Sequence, residues 1–446
     1  MAADQPIAAS SGALDRSAAL WSNSVAQLVG VVIARVSRAG GILYAARALG
    51  PDTFGLVATA LAAYEMLRVT GEAGLDTRLI RHAAQQPATA ASATRQTLWL
   101  KLRLYAVFAL AAVALAAWQS GREGALLLGA LAIGTPGLAV AGSSQAIATA
   151  RLDARGLIGY QATAGVLFFT LVAGAAYLVR TPTATALALG LGDLAAGAVM
   201  LGYVALRLRL TEPSMRPTSD WAALREAWPV GAISILGTAY ARLGIAGLAL
   251  YWGSAAVAQY GVSYRVVEVF LLASSAVAGS AYAVTARVEA EEGGARARAL
   301  LDAVLRRVAV PVLVIGIGVA VAATWLPALF GTAYLPAVTT TRVLAWSLPV
   351  MFVNGLLTAH LYGRGRFHTV LRIALINLGV TVLVLALVLP TGGPPAAALA
   401  VVCTECANTW LQSRAAGLGR GAWSWRLAAV CLAAGLITFA LGRHAL

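Results

Sequence analysis

Twelve apolar stretches follow one another from residue 25 to residue 413, and that succession constrains the fold more than any single motif. They lie near 25–46, 55–78, 99–118, 125–149, 158–179, 184–205, 229–252, 257–283, 308–329, 337–361, 370–389 and 396–413. A helix needs about 20 mainly apolar residues to cross a bilayer core, so the pattern predicts an all-α polytopic membrane protein. A last apolar piece, Leu427 to Leu441, is short for a span and is either a thirteenth helix or an interfacial one. Composition agrees: 60% of the 446 residues are hydrophobic and 11% charged, against about 25% charged in a soluble domain. The N-terminus has no basic residue before Arg16 and no short apolar core with a cleavage site, so no cleaved signal peptide is expected.

The net charge of +15 raises the question of nucleic acid, and the placement of the charges answers it. With the spans alternating from the N-terminus, one set of loops, here side one, collects 23 of the 33 basic residues. The opposite loops, side two, hold Arg47, Arg122, Arg180 and Arg443 at most. That asymmetry is a topology signal that marks side one as cytoplasmic, so no nucleic-acid partner is expected. The three cysteines, Cys403, Cys406 and Cys431, fall in apolar segments and read as small buried hydrophobes.

Six arginines remain, and all fall inside expected spans: Arg35, Arg38, Arg68, Arg242, Arg265 and Arg342. Each costs about 2.5–3.5 kcal/mol at a membrane helix centre on insertion scales, and such residues face an interior or a cavity. Five of them sit on spans one, two, seven and eight. Arg68 has Glu65 and Glu72 at helical spacing, and Arg265 has Glu268, so satisfaction within its own helix is one reading for each. Arg35, Arg38 and Arg242 have no such neighbour. They require either an anionic ligand or acids on other helices, with Glu72, Asp76 and Asp193 the candidates. Arg35 and Arg38 share a helix face, which would let them grip a diphosphate together through bidentate bonds. Asp193 in span six and Glu405 in span twelve occupy corresponding places in the two halves. They are candidates for coupling to a proton or sodium gradient, or else for capping a kink or pairing with an arginine.

The halves also share a feature. Leu49-Gly50-Pro-Asp-Thr-Phe54-Gly55-Leu56 lies between spans one and two, and Trp252-Gly253 through Tyr260-Gly261-Val262 between spans seven and eight. Two six-helix bundles in a pseudo-symmetric V around a central cavity are therefore expected, with the cavity at the repeat interface. The corresponding division is a cytoplasmic segment 1–24, an N-lobe 25–210, a linker 211–228, a C-lobe 229–415 and a C-terminal segment 416–446. No phosphate loop, H-E-x-x-H or G-x-S-x-G occurs, and no loop has room for a catalytic domain, so neither an enzyme activity nor a cofactor or metal is expected.

Several segments together resemble one family. Ala46-Arg47-Ala-Leu-Gly50-Pro51-Asp-Thr-Phe54-Gly55 is similar to the A-R-x-L-G-P-x-x-[FY]-G signature of bacterial polysaccharide and oligosaccharide flippases of the Wzx type. Leu329-Phe330-Gly331-Thr-Ala-Tyr334-Leu-Pro-Ala337 resembles the family's start of span ten. Tyr240-Ala-Arg242 and Gln259-Tyr260-Gly261-Val262-Ser-Tyr264-Arg265 resemble its spans seven and eight. The resemblance implies the superfamily of multidrug and toxin extrusion transporters and the lipid II flippase. It implies translocation of an undecaprenyl-diphosphate-linked oligosaccharide across the bacterial inner membrane by alternating access, without covalent chemistry. The implied partners are the lipid-linked oligosaccharide, the bilayer, and a polysaccharide polymerase with its export machinery. Two departures stand out: Leu243-Gly244-Ile245 offers no acid after the span-seven arginine, and larger relatives end in a pair of apolar segments rather than one.

Two other classes fit part of the pattern. A cation-coupled multidrug antiporter of the same superfamily would have to attract cations into a net-positive cleft, which like-charge repulsion disfavours. A membrane sugar polymerase or glycosyltransferase would need a larger outer loop or an acidic metal site, and Asp52 is the only acid in the first outer hairpin.

Overall fold

The computed structural model describes residues 7–151, 154–208, 219–419 and 422–444. Residues 211–218 of the expected linker and the side-one arginines Arg209, Arg216 and Arg420 lie outside the described residues, as do the side chains of Arg16, Arg155, Arg207 and Arg443. The described residues are helical with short connections and contain no strand.

Spans one and two form a single helical hairpin, α1 (Ile7–Glu72), folded at Gly50. Gly50 has φ 77° and ψ 168°, where a side chain would be strained. Pro51 then opens the returning arm, where its missing N–H costs nothing and its fixed φ suits a helix start. A short helix, α2 (Leu75–Gln85), follows on side one. Then come α3 (Ala90–Ala132), turned at Gly121, and α4 (Thr135–Ala150). α5 (Ala154–Leu178) and α6 (Pro182–Tyr203) complete the first lobe.

The second lobe begins with α7 (Asp220–Tyr251) and α8 (Gly253–Glu292). Span nine is α9 (Gly294–Ala322), followed by the short α10 (Leu326–Phe330). Span ten is broken into α11 (Ala337–Ala345) and α12 (Ser347–Gly363). Spans eleven and twelve form one hairpin, α13 (Phe367–Ala415), folded at Gly393. The last helix, α14 (Trp423–His444), has 22 residues, more than the apolar run alone suggests, and is long and apolar enough to cross a membrane.

The repeat is visible in the backbone. Gly253 opens the second hairpin at φ 78°, matching the 77° of Gly50. The aromatic-glycine pairs do not match in register: Phe54 follows its glycine by four positions and Tyr260 by seven. What repeats is the turn, with the aromatic displaced by about one helical turn. α1 packs on α5 inside its own lobe and on α7 and α8 of the other, so the first and second hairpins form the wall between lobes.

Candidate functional site

The intramembrane charges separate into three groups. In the N-lobe, Asp193 on α6 is buried and receives the guanidinium of Arg38 through both Nη atoms. Tyr64 OH donates to the same carboxylate at 2.9 Å, and the guanidinium lies 4.4 Å from the Phe168 ring centroid. Arg38 is therefore spent on holding α1 to α6. Of the two arginines expected to grip a diphosphate together, Arg38 is paired with Asp193, the other reading open to it.

The second group lies between the lobes. Arg68 Nε donates to Glu65 Oε2 at 2.8 Å on the returning arm of α1. Across the interface, Arg265 Nη1 and Arg242 Nη2 share the two oxygens of Glu268, at 2.6 and 3.1 Å. Glu268 thus satisfies Arg242 from the next helix, a partner that helical spacing within α7 could not reveal. Glu65 is attracted by Arg68, Arg38, Arg242 and Arg265 together, so charges from both lobes converge on one layer. Arg35, one helical turn from Arg38, is exposed. It interacts electrostatically with Arg68, Glu65 and Glu268, and no hydrogen bond or ion pair to it is seen among the described residues.

A cavity of about 430 Å³ opens beside this layer, lined by Glu65, Arg68, Glu72, Thr238, Arg242 and Glu268 among others. The lining itself carries two arginines, Arg68 and Arg242, and three carboxylates, Glu65, Glu72 and Glu268; with Arg265, bound to Glu268, and Arg35, which acts electrostatically on Glu65 and Glu268, the layer as a whole holds four guanidiniums against three carboxylates. Asp76 does not contribute: Lys101, the one lysine and fully buried, bonds both its oxygens at 2.8 Å. On the side-two side of the layer, between the lobes, lies a space of about 20 Å³ bounded by Ile42, Phe54, Leu61, Ile245 and Arg265.

The lobes touch at both ends of this cavity. On side two, Arg47 Nη1 donates to the Leu329 carbonyl and Tyr334 OH to the Ala46 carbonyl, each at 2.8 Å. Burial pushes the Tyr334 phenol pKa up, with Asp52 adding to the shift, so the hydroxyl stays a donor. A methyl group on Gly55 would run into the Ser254 backbone. The two sequence signatures, the Arg47 to Gly55 stretch and the Leu329 to Tyr334 stretch, therefore form a contact between lobes rather than part of the cavity. On side one, Arg78 and Arg81 both bond Glu226 of α7, and Arg103 bonds Asp220 at 3.0 Å. Gly74 and Gly231 let the two backbones approach there, with no room for a Cβ at either. Burial raises the Glu226 pKa, but its two arginines more than offset this and hold the carboxyl below its ordinary value.

The third group is in the C-lobe. Glu405 on α13 is buried, and its neighbours are neutral: Tyr240 OH donates to Oε1 at 2.9 Å and Asn354 Nδ2 to Oε2 at 2.7 Å. Thr409 in turn fixes the Asn354 amide through its oxygen at 2.7 Å. Tyr64, Tyr240 and Asn354 are partners that sequence alone did not single out, because each meets its acid across 51 to 165 positions of chain.

A profile described as polysaccharide biosynthesis protein matches residues 44–339. No curated protein matches the chain. Among solved structures, the chain is similar to the lipid II flippase MurJ in an inward closed conformation, with TM-score 0.70 and 9% identity over 94% of this chain and 98% of that one. It is also similar to a multidrug resistance MATE family transporter of the MOP superfamily. The outward-facing form gives TM-score 0.64 at 15% identity, covering 96% of each chain. The inward-facing form gives 0.66 at 15%, covering 94% and 99%. At these identities the likeness establishes the fold, two helical lobes around a central cavity. The profile covers well over half of the chain, which therefore belongs to the polysaccharide biosynthesis protein family.

Proposed function

We propose that the protein flips an undecaprenyl-diphosphate-linked oligosaccharide from the cytoplasmic to the outer leaflet of the bacterial inner membrane. The observation that carries this reading is the charged layer between the lobes, in which four guanidiniums, Arg35, Arg68, Arg242 and Arg265, stand against three carboxylates, beside a cavity that Arg68 and Arg242 line. A diphosphate supplies the missing negative charge, and guanidinium forks suit its oxygens. The tail stays in the bilayer while the head group occupies the cavity. At about 430 Å³ the cavity is in the range of small-ligand pockets, about 300–1,000 Å³, so an oligosaccharide requires the lobes to part further. Side one, rich in arginine, faces the cytoplasm. In alternating access the Glu226 contacts release to admit the head group, and the Tyr334 and Arg47 contacts release to discharge it.

Coupling is assigned to Glu405 rather than Asp193. Arg38 already neutralises Asp193, whereas Glu405 has no cationic partner among the described residues and is placed to exchange a proton or a sodium ion. No cofactor is required. A polysaccharide polymerase and export machinery would take the flipped product.

The multidrug antiporter reading keeps support from the fold, since multidrug transporters share it; the arginine excess of the layer beside the cavity argues against cationic drugs. The test is reconstitution in liposomes with a fluorescent polyprenyl-diphosphate-linked sugar, scored by loss of fluorescence to a membrane-impermeant quencher. Accelerated crossing is expected. Transport of a cationic dye with no effect on the lipid-linked sugar would contradict the proposal.

A further inference from the structure

We infer that the side-one corner of the C-lobe, where α13 turns into α14, is a binding site for the phosphodiester head group of an anionic phospholipid. Among the described residues, four arginines surround this turn. Arg366 Nη1 donates to the Ala415 carbonyl at 2.8 Å, next to Arg414. Arg298, at the start of α9, packs on Gly417 with its Nη1 3.1 Å from where a Cβ would sit. Arg426 follows on the first turn of α14, which a 2.9 Å bond between the buried Ser413 and Ser424 hydroxyls ties to the end of α13.

Two of these guanidiniums are held by tryptophan. Arg414 lies 5.1 Å from the Trp410 ring centroid and Arg426 5.9 Å from that of Trp423. Trp410 in turn packs edge-on against Trp425 at 5.9 Å. Such contacts fix a guanidinium without neutralising it, and tryptophan favours the head-group level of a membrane.

The charge there is uncompensated. The carboxylates at this end of the C-lobe already face other arginines: Glu289 faces Arg364, Glu291 faces Arg287, Glu292 faces Arg296 and Asp302 faces Arg306. No acidic partner for Arg298, Arg366, Arg414 or Arg426 is seen among the described residues, and all four are exposed. Four planar cations beside an aromatic shelf suit a phosphodiester whose acyl chains run along α14. The corner is built by α9, α13 and α14, whereas the central cavity is built by α1, α7 and α8, so a bilayer phospholipid rather than the transported diphosphate is the assigned ligand.

The test compares purified full-length protein in micelles supplemented with dioleoyl-phosphatidylglycerol or with dioleoyl-phosphatidylcholine, read by thermal unfolding and by lipid retained in native mass spectrometry. Phosphatidylglycerol should raise the unfolding temperature more and remain bound. The Arg414→Gln/Arg426→Gln variant should lose most of that increment and of the retained lipid. A control with the same charge change on the same side, Arg287→Gln/Arg296→Gln, should keep both. Retention of the increment by the first variant, or its equal loss in the control, overturns the site. Displacement of the bound phosphatidylglycerol by geranyl diphosphate would also overturn the assignment, giving the corner to a diphosphate.

Discussion

Each lobe carries one carboxylate on its sixth membrane helix, Asp193 and Glu405, and the two are treated differently by their surroundings. Asp193 meets a guanidinium, a phenol and, behind the guanidinium, an aromatic face. Glu405 meets a phenol and an amide and no cation. Both have a tyrosine donor, so the difference is a single arginine on the neighbouring cavity helix. Where the arginine turns inward, the acid becomes a strut; where Arg242 turns to Glu268 instead, the acid on α13 is left with neutral partners. The lobes share a fold and hold their sixth-helix carboxylates differently, Asp193 in an ion pair and Glu405 between neutral donors.

The largest expected effect attacks the strut. Arg38→Ala leaves Asp193 as an unpaired buried charge, and removing one partner of a buried pair costs about 3–5 kcal/mol. Thermal unfolding in detergent should show this, and the Arg38→Ala/Asp193→Asn double variant should recover most of it. An Arg38→Ala protein as stable as the wild type would remove the contrast between the lobes.

Glu405→Gln should be milder for the fold, about 1–3 kcal/mol for a donor left without its acceptor, and severe for coupling. Flipping driven by a proton or sodium gradient should lose its dependence on that gradient while passive exchange persists. Unchanged gradient dependence would move the coupling group elsewhere.

Smaller effects come from the two ends of the cavity. Tyr334→Phe removes one neutral hydrogen bond between lobes, about 1 kcal/mol, and should shift spin-label distances across side two toward the open form. The ion pairs of Glu226 on side one are partly exposed, and such pairs contribute about 0–1 kcal/mol. Because its folded pKa is lowered, its contribution is present above the unfolded pKa and is lost only as pH falls through the lowered value. Distances between α2 and α7 should therefore stay constant from pH 7 to about pH 5 and lengthen only below the ordinary carboxylate range.

The fold was legible because hydropathy and glycine-proline breaks act locally: the turn at Gly50 is decided by Gly50 and Pro51 alone. Local ion pairs were legible for the same reason, since Glu65 with Arg68 and Glu268 with Arg265 sit three residues apart on a helix. What spacing could not show was any choice between helices. Arg242 had no acid on α7 and found Glu268 on α8, while Arg38 had several acids available and took Asp193. The role of the family signature was hidden in the same way. Arg47 and Tyr334 lie far apart in sequence, and only the packed lobes show that each bonds the backbone beside the other's motif.

Arg35 and Arg38 are one turn apart on the same arm, yet one is free and the other bound, and that separates binding from stability. The most direct test of the proposed arginine-rich layer is the affinity of purified Arg35→Gln for geranylgeranyl diphosphate beside its thermal stability. Losing one charge-assisted hydrogen bond, about 1.5–3 kcal/mol, predicts binding weaker by roughly tenfold to a hundredfold, with stability changed by no more than about 0.5 kcal/mol. Equal affinity in the variant and the wild type would contradict the account.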